Sequence, residues 1–406
     1  MLIANPKCTR RAYPDDLRAI MSVTQATESR TLLSSWSRFE RAVTPLWQLP
    51  DLARDLGVGQ VLLKDEAVRS ALGSFKVLGA PVALVRLILR RFPDMVLVPR
   101  ALLAGNFAES LAEFTVISAT DGNHGRALAA AAQSVGCRCV IVLHAHVSTE
   151  REQAIAAYGA RIIRIDGNYD DSVHEAARLA ATNGWTVVSD TSYEGYTEIP
   201  RDVMQGYAII AAEALEALAP QQAGCPFSHV FLQGGVGGLA AGIASYLWER
   251  YGAARPTMIV VEPTQADCLY QSALTGKATR ASGSVDSVMA GLACGETSPL
   301  AWQFLEGCID HFMTVEDAEA VAAMRVLAKG SERDLPLVAG ESAVAGLAGL
   351  RQLMGTPQAA ELGLDRQSRV LLISTEGATA PALYAELVGE PASAVLARQE
   401  QWLQVQ

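Results

Sequence analysis

The residues with most scope for chemistry stand in short polar runs set between apolar ones. Leu72-Gly73-Ser74-Phe75-Lys76-Val77-Leu78-Gly79-Ala80 carries one lysine among small and apolar neighbours. A lysine taken out of water can lose its proton near neutral pH and attack a carbonyl, so Lys76 is a candidate Schiff-base residue. The plainer alternative is a solvated lysine at a helix start. A second run, Ser118-Ala119-Thr120-Asp121-Gly122-Asn123-His124-Gly125, closes a strand pattern and opens a helix pattern. Free amides at such a point favour an anion such as a carboxylate, though Asp, Gly and Asn are also ordinary helix caps. A third, Gln233-Gly234-Gly235-Val236-Gly237-Gly238-Leu239-Ala240, lets the backbone approach a small phosphate closely. It lacks the dinucleotide glycine spacing, and no lysine follows as in a nucleoside-triphosphate loop. Ser374 and Thr375 put hydroxyls after another strand pattern, to meet a heteroaromatic nitrogen or to cap the next helix. Asp190 lies in the polar and aromatic loop Ser189-Asp190-Thr191-Ser192-Tyr193-Glu194-Gly195-Tyr196, which either carries function or joins two sub-domains.

Each run needs a strand behind it and a helix ahead. Short apolar strands are expected at 61–64, 115–118, 140–143, 161–165, 186–189, 229–233, 258–261 and 370–373. Helices are expected at 51–56, 74–91, 123–135, 149–158, 170–182, 203–218, 239–250, 266–274, 315–327, 342–354 and 378–388. Such alternation predicts an α/β fold with parallel sheets buried on both faces. Residues 1–50 read as polar and irregular, with 44–50 extended, and 93–113 as a lid-like or connecting segment. The four strand–helix units between 115 and 200 predict a small domain of their own.

With 406 residues, 50% of them hydrophobic and 19% charged, the chain can build two sizeable cores. A net charge of −10 argues against nucleic acid as a partner. No stretch has the length and apolarity of a membrane span, and the first residues lack a signal peptide's apolar stretch. Seven scattered cysteines suit a reducing cytoplasm; Cys268 and Cys294 could pair if the fold joins them. His144 and His146 read as surface or loop residues, and no metal site is expected.

Taken in this order, the motifs resemble the fold-type II pyridoxal-phosphate enzymes, the group of tryptophan synthase β and threonine dehydratase. Gly73-Ser74-Phe75-Lys76 is similar to that group's cofactor-lysine motif, and Thr120-Asp121-Gly122-Asn123-His124 to its Ser-x-Gly-Asn-His loop. Asp121 narrows the likeness. Thr120-Asp121-Gly122-Asn123-His124-Gly125-Arg126, Asn168-Tyr169-Asp170-Asp171, Met204-Gln205-Gly206-Tyr207, Val261-Glu262-Pro263, Gly340-Glu341-Ser342 and Ser374-Thr375-Glu376-Gly377 resemble the diaminopropionate ammonia-lyases.

That resemblance implies two open, twisted, largely parallel sheets flanked by helices. The site would lie between a large domain (1–114 and 201–406) and a small one (115–200). It implies α,β-elimination of 2,3-diaminopropionate, D or L, to pyruvate and two ammonia by a cytoplasmic homodimer. Lys76 would hold pyridoxal phosphate and Phe75 would pack on its ring. Asn123 would meet the phenolic oxygen, and Gly234, Gly235, Val236, Gly237 and Gly238 the phosphate. Ser374 or Thr375 would face the pyridine nitrogen. Thr120, Asp121, Gly122 and His124 would hold the substrate. Lys76, once displaced by the substrate amine, and Asp121 would act as bases on opposite enantiomers, and Asp190 would recognise the second amino group or assist its departure. Two other activities fit the same motifs: a serine or threonine dehydratase, or a β-replacement enzyme. A non-catalytic ligand-binding protein is the reading from another class.

Overall fold

The polar runs converge because the apolar runs behind them line up as parallel strands. The computed structural model describes residues 1–120, 122–218 and 224–405. Its strands are β1 (Leu2–Ala4), β2 (Leu46–Gln48), β3 (Gln60–Asp65), β4 (Thr115–Ala119), β5 (Arg138–Leu143), β6 (Arg161–Arg164), β7 (Thr186–Val187), β8 (His229–Gln233), β9 (Thr257–Pro263), β10 (His311–Val315) and β11 (Arg369–Ser374). Seven form one sheet in the order β1-β10-β9-β8-β11-β3-β2. Its five inner strands run parallel, and β1 and β2 close the edges antiparallel. The other four form a parallel sheet, β6-β5-β4-β7. β4 and β8 are buried along their whole length, as strands covered on both faces must be.

Helix packing sets how closely the two sheets approach. Ala127, Ala129, Ala130, Ala131 and Ala132 of the helix Asn123–Val135 are all fully buried, in one core with Val82 and Val85 of the helix Ala80–Arg91. Alanines let the two backbones come near at little entropic cost.

Several elements differ from expectation. The helix expected at 74–91 begins as a 3₁₀ turn, Phe75–Leu78, and starts again as an α-helix at Ala80 with Pro81 in its first turn. Pro81 lacks the amide a continuous helix would need. The helix expected at 203–218 is two, Glu198–Tyr207 and Ile209–Glu216. Residues 1–50 are not irregular. They hold the helices Asp15–Ile20 and Val23–Leu33, which bury Leu17, Leu32 and Leu33, besides β1 and β2. The segment 93–113 is connecting rather than lid-like, because Leu102, Leu103 and Leu111 anchor its two short helices in the main core. β10 precedes the helix Asp317–Lys329, whose start is fixed by a capping box between Glu316 and Glu319.

One charged cluster lies inside the fold. Lys64, Glu66, Arg69 and Glu213 are all fully buried. Lys64 Nζ lies 2.6 Å from Glu213 Oε2 and donates to Thr44 O at 2.7 Å. Arg69 meets Glu66 at 2.6 Å and Glu213 at 2.8 Å. Two cations balance two anions with their hydrogen bonds satisfied, the condition under which buried charge is tolerated. Among the described residues, no helix is long and apolar enough to cross a membrane.

Candidate active site

The C-terminal ends of β4, β7, β8 and β11 open into one cleft of about 840 Å³, part of it continuous with solvent. Crevices at strand ends are where open α/β sheets bind ligands. Phe75, Lys76, Thr120, Gly122, Asn123, His124, Asp190, Gly234, Gly235, Val236, Gly238 and Thr375 line it. Asp121 lies outside the described residues.

The Lys76 segment is pinned to the loop after β11. Ser74 bridges Glu376 antiparallel, Phe75 N donates to Thr375 O at 2.9 Å, and Gly377 N donates to Gly73 O at 2.9 Å. Lys76 thus emerges beside Ser374 and Thr375. Its Nζ lies 5.1 Å from the centre of the Phe75 ring and forms an ion pair with Asp190. Burial opposes the lysine's charge, but Asp190 outweighs it and holds the ammonium above its ordinary pKa. Burial would raise Asp190, yet Lys76 pulls it down to about 2. The pair is therefore ionised at neutral pH.

His124 donates from Nε2 to Val188 O at 2.9 Å, and its Nδ1 faces Asp190 Oδ2 at 3.8 Å. Burial lowers its pKa despite that carboxylate. Thr120 acts locally, its hydroxyl oxygen accepting from the amides of Gly122 (3.0 Å) and Gly125 (3.1 Å). Asn123 Nδ2 donates to Glu376 Oε2 across the cleft.

The glycine loop is shaped for close approach. Gly235 and Gly237 have φ of +67° and +100°, values that L side chains rarely adopt. A side chain on Gly234 would run into Glu262. The amides of Gly235, Val236 and Gly237 have no acceptor among the described residues, and the helix Gly238–Tyr251 starts directly behind them. Free amides at a positive dipole end suit a phosphate dianion. Beneath the loop, Glu262 accepts from Leu269 N (3.0 Å) and Tyr270 N (2.8 Å), and burial lifts its pKa to about 8. Cys268 donates to Gly235 O at 3.3 Å, and Cys294 Sγ underlies the same glycine. The Ser374 hydroxyl is buried at the end of β11 with no partner among the described residues.

Several lining residues had no role from sequence reasoning. Arg151 meets the buried Glu341 at 2.5 Å, tying the helix Thr149–Ala156 to the larger sheet's side of the cleft. Burial, with Glu376 nearby, raises Glu341, and Arg151 opposes the shift. Glu376, Gln233, Tyr169 and Tyr207 also face the cleft. The one available signal was an acidic residue inside a short motif, as in Gly-Glu-Ser or Ser-Thr-Glu-Gly. His144 and His146 lie elsewhere, ring centres 6.0 Å apart, and no cluster of metal-ligating side chains occurs among the described residues.

Residues 38–376 match the family model described as pyridoxal-phosphate dependent enzyme. Diaminopropionate ammonia-lyase of Escherichia coli is 40% identical over 357 residues, 87% of this chain and 88% of that protein. The chain belongs to the diaminopropionate ammonia-lyase family of pyridoxal-phosphate-dependent enzymes. The Salmonella typhimurium diaminopropionate ammonia-lyase is 38% identical, covering 87% and 89% of the two chains. The crystal structure of the Escherichia coli ammonia-lyase with an aminoacrylate–pyridoxal-phosphate azomethine intermediate superposes with a TM-score of 0.85, at 38% identity and 96% coverage of each chain. Its complex with D-serine gives 0.86 at 37% identity, covering 97% and 98%. The fold is therefore the fold-type II arrangement and the cofactor is pyridoxal phosphate, as expected for this ammonia-lyase family.

Proposed function

We propose that the protein eliminates ammonia from 2,3-diaminopropionate and, with one water, releases pyruvate and two ammonia. The observation that carries this reading is Asp190, an ionised carboxylate facing Lys76 in the cleft. A hydroxyamino acid has no second cation to place there; a diamino acid does.

The residues present fit pyridoxal phosphate. Lys76 is the attachment point, Phe75 a ring wall and Asn123 a donor for the phenolic oxygen. The amides of the loop Gly234-Gly235-Val236-Gly237-Gly238 would take the phosphate. The unpartnered Ser374 hydroxyl, or Thr375 beside it, would face the pyridine nitrogen. When bound, this group supplies an electron sink for the substrate's α-carbon. A neutral hydroxyl opposite the nitrogen keeps that sink moderate, which suits prompt loss of a β-substituent.

The protein's own groups manage protons. While its amine is free, Lys76 is held charged by Asp190. A substrate ammonium arriving at Asp190 takes over that countercharge, so Lys76 loses its main reason to stay protonated and becomes a base for the α-hydrogen. Asp190 meanwhile keeps the departing amine in its ammonium form, the form in which it leaves well. Gly122 and His124 would define the carboxylate end of the cleft, on the turn that Thr120 holds. By family likeness we assign the α-proton of the D enantiomer to Asp121. Asp121→Asn should then suppress turnover of the D substrate far more than the L substrate, and equal losses would remove that role.

The same reading takes residues 115–200 as a small domain against 1–114 and 201–406. It also takes the protein as a cytoplasmic homodimer, which sedimentation equilibrium and cell fractionation test. The deciding experiment is product release from D- and L-diaminopropionate beside D- and L-serine. Two ammonia per pyruvate from diaminopropionate is expected. Faster turnover of serine would make the protein a dehydratase.

A further inference from the structure

Tyr207 ends the helix Glu198–Tyr207 inside the protein, 1% exposed. Three glycines face it, and two of them, Gly79 and Gly242, make room for it. A Cβ on Gly79 would come within 2.6 Å of its Cε1, one on Gly242 within 3.1 Å of its Cβ, and one on Gly238 within 3.9 Å of its Cε2. The ring is therefore held between the Lys76 segment and the helix behind the glycine loop. It packs on Phe75 with ring centres 4.7 Å apart, and Lys76 Nζ lies 5.8 Å from its centre.

The ring is accounted for by packing, but the hydroxyl is not. It makes no hydrogen bond of ordinary geometry among the described residues, and Lys76 is the side chain placed to supply one. Leaving a buried hydroxyl unpaired is a cost that a phenylalanine of the same shape would avoid. Burial pushes the phenol's pKa well up, against the pull of Lys76, so it stays neutral and acts only through hydrogen bonds. Its charged neighbours are Lys76 and Asp190. His124, Tyr196 and Cys294 are the other titratable groups around that pair.

We propose that the Tyr207 hydroxyl is a positioning group for Lys76, accepting a hydrogen bond from Nζ while the amine is free and keeping it when Asp190 turns to the substrate's second ammonium. The proposal rests on the reading of Asp190 as the site of that ammonium. Without such an acceptor, Lys76 would lose its one strong partner in a buried site at the moment it must stay aligned. With it, Nζ keeps its place beside two aromatic rings while its charge is free to leave.

The test is Tyr207→Phe, which removes the hydroxyl alone. Thermal unfolding checks that it folds. Tyr384→Phe is the control, because Tyr384 also carries a buried unpartnered hydroxyl but packs in the core on the other side of the large sheet. The first readout needs no turnover. Cofactor-free protein is mixed with pyridoxal phosphate, and capture is followed by its visible absorption band across pH. Capture needs the neutral amine, so its midpoint reports Lys76. Losing an acceptor for the ammonium should move the midpoint down by about half a unit or more. The second readout is steady-state turnover, where kcat should fall about tenfold with KM within about twofold. An unshifted or raised midpoint overturns the proposal, and so does an unchanged kcat in a parent that releases pyruvate. A lowered midpoint in a protein that does not act on diaminopropionate would keep Tyr207's role and discard the substrate.

Discussion

Two buried lysines on one stretch of chain have opposite surroundings. Lys64 is closed in by Glu213, Thr44 and Glu66, with Arg69 sharing the same carboxylates. Lys76 has one carboxylate, Asp190, two aromatic rings and an open cleft. Both are out of bulk water, so burial alone does not make a lysine reactive. The difference lies in how many partners must be displaced before the proton can leave. Lys64 would abandon a balanced network, whereas Lys76 needs only a competing cation at Asp190.

This contrast can be broken by substitution. Lys76→Ala should lower pyruvate release by a factor on the order of 10³ or more and abolish the visible band. Its thermal midpoint should stay near the parent's, because water can reach Asp190 through the cleft. Lys64→Met should do the reverse. It leaves two buried carboxylates to one arginine and should cost about 3–5 kcal/mol in urea unfolding, since half of a buried pair is worse than none. Turnover per folded molecule should be kept. If Lys64→Met is as stable as the parent, the two lysines do not differ as argued.

Asp190→Asn sharpens the comparison from the other side. It should reduce kcat about a hundredfold and move cofactor capture to lower pH, because Lys76 loses the charge that keeps it protonated. An unchanged capture profile would detach Asp190 from Lys76. Glu262 gives the smallest effect. Its folded pKa of about 8 lies above that of an exposed glutamate, so between roughly pH 4.5 and 8 the folded state binds more protons than the unfolded one. Stability should therefore fall as pH rises through that window. Glu262→Gln should flatten the slope, a gain of about 1–3 kcal/mol at pH 8 by urea unfolding. A slope unchanged by the substitution would show that Glu262 stays ionised on the amides of Leu269 and Tyr270.

What the sequence made legible follows the same division. The glycine loop, Asn123 and Ser374 each lie in a polar run directly after an apolar one, so local pattern marked them as strand-end loops, while Lys76 stood out as a lone charge among small and apolar neighbours. Thr120 shows the limit of that logic, because its hydroxyl serves the turn that the capping alternative described. Glu376 meets Asn123 from 253 residues away, and Arg151 meets Glu341 from 190, so no local spacing could place either pair. Tyr207 ended a short motif whose meaning depended on two distant glycines. β1 and β2 escaped because three residues give no usable periodicity, and β10 because its apolar run merged with the helix after it.

The strand order also bears on how the molecule comes into being. β11 stands between β8 and β3 and is their shared neighbour. During synthesis it emerges after every other strand of the sheet. Until then β3 with β2 and β8 with its own neighbours are two separate ribbons, each with an exposed edge. The lysine belongs to one ribbon and the glycine loop to the other. A nascent chain could display both and still have no pocket, so capture of the cofactor becomes a late event that certifies a finished sheet. Chains stalled before Arg369 should remain colourless in excess cofactor and depend on chaperones to shield those edges.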